Sequence, residues 1–367
     1  MGKIIIVFLA QMICVASYGD TYSDLEALVK KYHYRQSFHG NVLVRRGGEI
    51  LFEKSIGEAN AEWKVPHTMD SKFMVASLSK SFTAAMILLM EARGDLSVED
   101  AVSSYISLPK EPVIDEERWF KLKIKHLLNH TGGVKRDFMN TANLNRSGLN
   151  RLGGIIFNTF TNKKVFISDP GEKFYYSNLG YVLLGAVIEK VSSSDYENAL
   201  KNNMLRQAEL YDTGEFHRMK YLEYMSSGYF YGSGRRITKR CCDDATSLTG
   251  AASMYSTASD LANWLTLLRT SSEVFGVNLL ERMTGETVEG DVDGMEYGYG
   301  LMRGVVGGAD RVYHTGHEWG FVSSMNLYPE ENLEIVVLAN RHGFMGGSNL
   351  NSADALSIEL AEYLLLQ

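Results

Sequence analysis

The sequence predicts an α+β fold: one antiparallel sheet built from both chain ends and flanked by helices, plus a mostly helical lobe. Three observations carry this. Short strand-like runs stand near the start, at Asn41–Arg45 and Glu49–Glu53, and return near the end, at Arg311–His314, Phe321–Tyr328 and Leu333–Ala339. Between about Val98 and Leu268 most periodic segments have helical spacing. Strands at both ends around a helical middle have to meet in one sheet, with helices packed on it. The expected division is an α/β lobe over about 20–105 and 290–367 and a helical lobe over about 106–289, together one unit spanning 20–367.

The elements follow in order. Met1-Gly2-Lys3, the apolar runs Ile4–Ala10 and Ile13–Ala16, and the small residues Ala16, Ser17 and Gly19 predict a leader over 1–19, removed on export to the periplasm or medium. Cys14 lacks the preceding residues of a lipoprotein signal. A helix is expected over Asp24–Tyr32, then a hairpin turned at Arg46-Gly47-Gly48. A largely apolar helix follows Ser77, runs over Ser81–Ala92 and stops at Gly94. Further helices are expected at Ile124–Asn129, Leu179–Val191, Asn198–Gln207, Ala258–Leu268 and Ala353–Leu366, with stops or turns at Gly132-Gly133 and Asp169-Pro170-Gly171. The last two strands join across Pro329–Asn332.

A chain of 367 residues with 45% hydrophobic content has ample material for a core, and a net charge of −7 argues against nucleic acid or an anionic membrane as partner. No stable membrane insertion is expected after processing, because no other run of about 18 uninterrupted apolar residues occurs. Beyond the leader the cysteines are Cys241 and Cys242, adjacent to each other. They are expected to be thiols or a local disulfide; with Asp243 and Asp244 they lack the further His or Cys that a metal site needs. No metal or organic cofactor is expected.

Ser77-Leu78-Ser79-Lys80 carries the chemistry. A serine hydroxyl is a poor nucleophile until a base takes its proton, and a lysine three residues on along a helical turn stands within reach. At a helix N-terminus, backbone N–H groups and the dipole also face the reacting atoms. Ser107-Leu108-Pro109-Lys110 fits the same spacing, but Pro109 lacks the N–H of a helix interior and no apolar helix follows. Tyr176-Ser177-Asn178 follows the Asp169–Glu172 turn and precedes an apolar helix, where Tyr176 could relay a proton. Tyr196-Glu197-Asn198 repeats the pattern at a polar helix start and is expected on the surface. His314-Thr315-Gly316 ends a short strand, whereas His130-Thr131-Gly132 reads as a helix stop made by glycine.

Together, Ser77-x-x-Lys80, Tyr176-x-Asn178 and His314-Thr315-Gly316 resemble the three active-site motifs of the penicillin-recognising serine hydrolases. The branch they resemble most holds class C β-lactamases, serine DD-carboxypeptidases, esterases and D-aminopeptidases. Similar blocks stand at Ile124–Gly133, Pro170–Tyr181 and Met254–Leu261, so the resemblance spans roughly residues 40 to 340. It implies a β-lactamase/transpeptidase-like fold and an acyl-enzyme on Ser77. By the same resemblance Lys80, held near neutrality, is the base and Tyr176 the proton relay. Asn178, His314, Thr315, Gly316 and His317 bind substrate, with the backbone N–H groups of Ser77 and His317 holding the oxyanion.

Class C β-lactamases usually carry lysine where this chain has His314, so the third motif is expected to titrate near neutrality. Arg303 or Arg341 could then supply a fixed charge, or each could be a surface arginine. The implied substrate is a small molecule or short peptide. A DD-carboxypeptidase or β-lactamase-like amidase, acting on peptidoglycan stem peptides or β-lactams, leads; a carboxylesterase or D-aminopeptidase is the alternative, and a non-catalytic penicillin-binding sensor comes last. Specificity is expected in the loops between Arg136 and Lys164 and between Leu210 and Ala245.

Overall fold

The structure, a computed structural model, describes residues 21–35, 37–107, 115–136, 165–217, 220–231, 237–240, 245–318, 320–343 and 352–367. The expected leader (1–19), the Cys241–Asp244 cluster and most of the loop after Arg136 lie outside these residues. Among the described residues, no helix is long and apolar enough to cross a membrane.

Both chain ends meet in one antiparallel sheet of eight strands, as the fold class requires. In chain order these are β1 (Gly40–Arg46), β2 (Glu49–Ile56), β10 (Val288–Glu289), β11 (Glu296–Tyr297), β12 (Met302–Val306), β13 (Ala309–Glu318), β14 (Phe321–Tyr328) and β15 (Leu333–Ala339). Their spatial order is β10-β11-β12-β13-β14-β15-β1-β2, so the N-terminal hairpin completes a sheet begun by the C-terminal third. The hairpin turn uses Gly47 (φ 61°) and Gly48 (φ 88°), a left-handed pair that fits the twist of its strands.

Every residue of β14 and β15 is buried, because the sheet is covered on both faces. Val42, Val44, Ile335 and Val337 face a layer containing Leu25 and Val29 of the first helix (21–35) and Leu356 and Leu360 of the last (Ser352–Leu365). Leu43, Val336 and Leu338 face the main core, with Trp264 and Leu268 of the helix Ala258–Phe275 and most of the helix Ser79–Ala92. Within that core Phe82 stacks on Trp264, ring centroids 4.3 Å apart.

The helical middle departs from expectation after Asp195. The helix expected over Asn198–Gln207 is instead a short helix, Tyr196–Leu200, continued by a π-helical turn, Lys201–Leu205. Tyr196 is fully buried, and its hydroxyl lies 2.7 Å from Thr83 Oγ1, which corrects its expected surface position. A tyrosine can be buried when its hydroxyl finds a partner, and the polar residues beside it do not reveal that. Outside the large sheet β3 (Glu58–Asn60) pairs with β4 (Val65–Pro66) and β7 (Gly228–Tyr231) with β8 (Ile237–Arg240), and three very short strands have no visible sequence signal: β5 (Phe73–Met74), β6 (Gly214–Glu215) and β9 (Met254–Ser256), with β9 central. They tie the segment entering Ser77 to the helical middle.

Strand β13 crosses close behind that same segment. A Cβ on Gly316 would stand 2.3 Å from Ser323 Oγ and 2.4 Å from Val75 O, so only glycine permits the approach. Gly316→Ala is expected to cost about 1–3 kcal/mol, as overpacking does, and to lower the melting temperature by several degrees. Gly304→Ala on β12, where the nearest outside atom would be 3.6 Å away, should be nearly neutral. Thermal denaturation of both variants checks the contrast; equal melting temperatures would refute the close approach.

Candidate active site

Ser77 sits in a single 3-10 turn, Ala76–Leu78, that leads directly into the helix Ser79–Ala92. Ala76 has φ 49°, a left-handed conformation that costs a non-glycine residue about 1–2 kcal/mol. Hydrogen bonds hold the turn there. Ser79 Oγ donates to Ala76 O (2.6 Å) and accepts from Met254 N (3.1 Å). Val75 N donates to Met254 O (3.0 Å), and Ser323 Oγ donates to Val75 O (2.9 Å). Sheet and helical middle thus grip the turn from two sides, leaving Ser77 half-buried.

Lys80 is fully buried. Its Nζ lies 3.2 Å from Ser77 Oγ and donates to Asn178 Oδ1 (2.8 Å) and Ala251 O (2.9 Å). The Tyr176 ring centroid is 4.8 Å from the same nitrogen. Ser77, Lys80, Tyr176 and Asn178 therefore meet around one ammonium, although 98 residues separate Lys80 from Asn178. Asn178 begins the helix Asn178–Ser192, capped by Ser177, whose Oγ accepts from Gly180 N (3.0 Å). Ala251 lies in a segment fixed by Thr83 Oγ1, which donates to Gly250 O (2.6 Å), and by the buried Glu215, which accepts from Thr249 and from Ser253 Oγ (3.1 Å). The other Ser-x-x-Lys serine, Ser107, is exposed in a loop, and Lys110 lies outside the described residues.

The third motif lies on β13. Thr315, Gly316 and His317 pair with Ser324, Ser323 and Val322 of β14; Thr315 is half-buried and His317 exposed. His314 points inward and is fully buried. Its Nδ1 donates to Thr315 O (2.7 Å), which leaves Nε2 to accept from the Tyr297 hydroxyl (3.1 Å). Burial, then the charge of Lys80, push its pKa down to about 3, against a small opposing effect of the Thr315 hydrogen bond. The expectation that His314 titrates near neutrality is therefore corrected: it is a neutral partner of Tyr297, and a buried imidazole beside an ammonium has no reason to charge.

Neither expected arginine is free at the surface. Arg303 pairs with Asp310 (3.8 Å), and buried Arg341 pairs with Glu58 (2.7 Å). Among the described residues, Arg136 stands beside the motifs, its guanidinium carbon 5.3 Å from the Tyr176 ring centroid. His130, which the sequence presents only as part of a helix stop, belongs to the same cluster. It is buried, with ring centroids 4.3 Å from Tyr176, 4.6 Å from Tyr297 and 5.1 Å from Tyr181. Gly132 is not left-handed here; His130 itself turns the chain, at φ 61°. A second His-Thr-Gly ending a helix masks this, because a glycine stop explains the sequence equally well.

Comparison with known proteins agrees with the geometry. The sequence pattern of the β-lactamase family matches residues 25–358. The chain belongs to the β-lactamase family of serine hydrolases. Over 212 residues it is 34% identical to penicillin-binding protein 4* of Bacillus subtilis (strain 168), covering 56% of this chain and 45% of that one. The chain thus spans less than half the length of that relative. Its fold is similar to a penicillin-binding protein from Bacillus halodurans (TM-score 0.75, 23% identity, 93% of this chain and 98% of that one). It is also similar to the D-amino acid amidase of Ochrobactrum anthropi SV3 complexed with D-phenylalanine (TM-score 0.78, 19% identity, 95% and 98%).

The histidines set how this family member responds to acid. Burial holds His39 and His314 at about 3 and His67 and His126 at about 4, with His130 lowered well below the ordinary value. Unfolded histidine takes up a proton near 6.5, so between these values the unfolded chain binds more protons and stability falls with acidification. His217, raised to about 9 by hydrogen bonds to Glu197 and Glu215, has the opposite sense: its contribution is full below 6.5 and lost as pH rises through about 9. Melting temperature should therefore drop steadily from about pH 6.5 to about pH 4, and His314→Gln should make that drop shallower. Differential scanning fluorimetry across pH checks this; a flat profile over the range would contradict it.

Proposed function

We propose that this chain hydrolyses amides of D-amino-acid peptides or β-lactams through an acyl-enzyme on Ser77. The observation that carries the reading is the position of Lys80 Nζ, 3.2 Å from Ser77 Oγ and oriented by Asn178 and Ala251. In the proposed first step Lys80 acts from its neutral amine form, reached when the ammonium gives up a proton: Ser77 Oγ attacks the carbonyl carbon while its proton passes to that amine. The tetrahedral oxyanion that forms is held by the backbone N–H groups of Ser77 and His317, a contribution of about 3 kcal/mol for one such donor. Tyr176 relays the proton to the leaving nitrogen, the amide bond breaks, and water then releases the acyl group. Asn178 has its Oδ1 on Lys80, so its first role is to orient the base, alongside any contact with the substrate amide.

Arg136 favours substrates with a carboxylate, since it sets a permanent cation beside the Tyr176 ring. A second reading, a carboxylesterase or D-aminopeptidase, is favoured by the neutrality of His314, because the third motif then offers no charge to an anionic substrate. A penicillin-binding sensor without turnover is the least supported, as nucleophile and base lie together. We also propose that residues 1–19 direct export, which would place the site where cell-wall peptides occur.

Labelling with a fluorescent penicillin, followed by assays on a D-Ala-D-Ala peptide, nitrocefin, a D-amino-acid amide and a nitrophenyl ester, tests the ranking. Acylation by penicillin and turnover of one D-configured amide are expected. Lys80→Met should lower kcat/KM by about 10²–10⁴ on any active substrate. Turnover of the ester alone would favour the second reading, and a fully active Lys80→Met variant would remove Lys80 as the base.

A further inference from the structure

We propose that His130 is a positioning residue that clamps the backbone on both flanks of Tyr176 and so fixes the phenol over Lys80. The inference rests on the role given to Tyr176 above. Residues 174–177 belong to neither helix nor strand, so no regular hydrogen-bond ladder sets where the Tyr176 side chain points. His130 takes that part with two acceptors. Its carbonyl oxygen accepts from Tyr175 N (2.8 Å), and its Nδ1 accepts from Ser177 N (3.1 Å). The two peptide N–H groups bracketing Tyr176 are thus held by one residue, whose ring also lies against the Tyr176 ring at 4.3 Å.

The clamp has a definite protonation state. A backbone N–H can only donate, so Nδ1 must be the unprotonated nitrogen and the proton sits on Nε2. A charged imidazolium would have to release Ser177 N. The surroundings keep the ring neutral: burial first, then the charges of Lys80 and Arg136, oppose a positive charge here.

Two features of His130 carry a cost to stability. It holds a left-handed φ of 61°, which favours glycine or asparagine, and its buried Nε2 has no hydrogen-bond partner among the described residues. A residue that carries both penalties next to a reactive group is where strain is retained for function. The acceptor at the Nδ1 position is the useful part. Ring packing against Tyr181 and Tyr297 is a separate contribution, and substitution can divide the two.

Asparagine tolerates the left-handed backbone and places Oδ1 close to where Nδ1 lies, so His130→Asn keeps the clamp and loses the outer ring. His130→Phe keeps the ring and loses the acceptor. Acylation by a fluorescent penicillin is measured per folded molecule for both, alone and combined with Tyr176→Phe. His130→Asn should acylate within about 3-fold of the wild type, whereas His130→Phe should fall about 100-fold, the scale of an ångström-sized misplacement. In the Tyr176→Phe background, His130→Phe should add little, since both act through one group. The reverse ranking, or losses that multiply in the double variant, would make His130 a packing residue and overturn the proposal. A fully active Tyr176→Phe single variant would instead overturn the role of Tyr176 itself, and the clamp's purpose with it.

Discussion

The Lys80 ammonium lies away from bulk water; it donates to Ser77 at its own helix start and to two groups remote in sequence, Asn178 at the start of another helix and Ala251 in a loop. A buried cation without such partners would cost several kcal/mol, so each partner has to be held in place. Much of the surrounding polar structure does that holding. Ser177 caps the Asn178 helix, Thr83 and Glu215 fix the Ala251 segment, and Ser79 locks the Ser77 turn to β9. The same charge governs its neighbours, since His130 and His314 stay neutral partly because Lys80 opposes their protonation.

The sheet supplies the rigid side of this arrangement. Strands β14 and β15 are buried on both faces, and β13 beside them carries the third motif at the edge of the core. The absence of a side chain at Gly316 lets β13 come against Val75 and Ala76, and the Ser323 hydroxyl fastens Val75 from the next strand. Nucleophile and third motif are thereby set by backbone and small side chains rather than by long flexible ones. Such positioning keeps its geometry through a reaction cycle, which is what electrostatic stabilisation of an oxyanion requires.

What could be read from the sequence was decided by how local the cause was. The hairpin at Gly47-Gly48, the strands Phe321–Tyr328 and Leu333–Ala339 and the helix after Ser77 are legible because turn chemistry or apolar pattern lies within each segment. The different settings of Ser77, before a helix, and Ser107, in a loop, are legible for the same reason, through Pro109. Strands β5, β6 and β9 are too short to carry a period, and burial of Tyr196 depends on Thr83, 113 residues away. The neutrality of His314 depends on its burial and on Lys80, and the clamp proposed for His130 depends on what it accepts from Ser177. Histidine alone carries no sign of its state in a sequence; its partners decide it.

The central claim is that Lys80 and its partners make Ser77, and no other serine, the nucleophile. Peptide mapping by mass spectrometry after treatment with a β-lactam or an acyl phosphonate tests it most directly. The account predicts one adduct, on the peptide containing Ser77, that disappears in Ser77→Ala and forms far more slowly in Lys80→Met. An adduct on Ser107, or one that survives in Ser77→Ala, would contradict it.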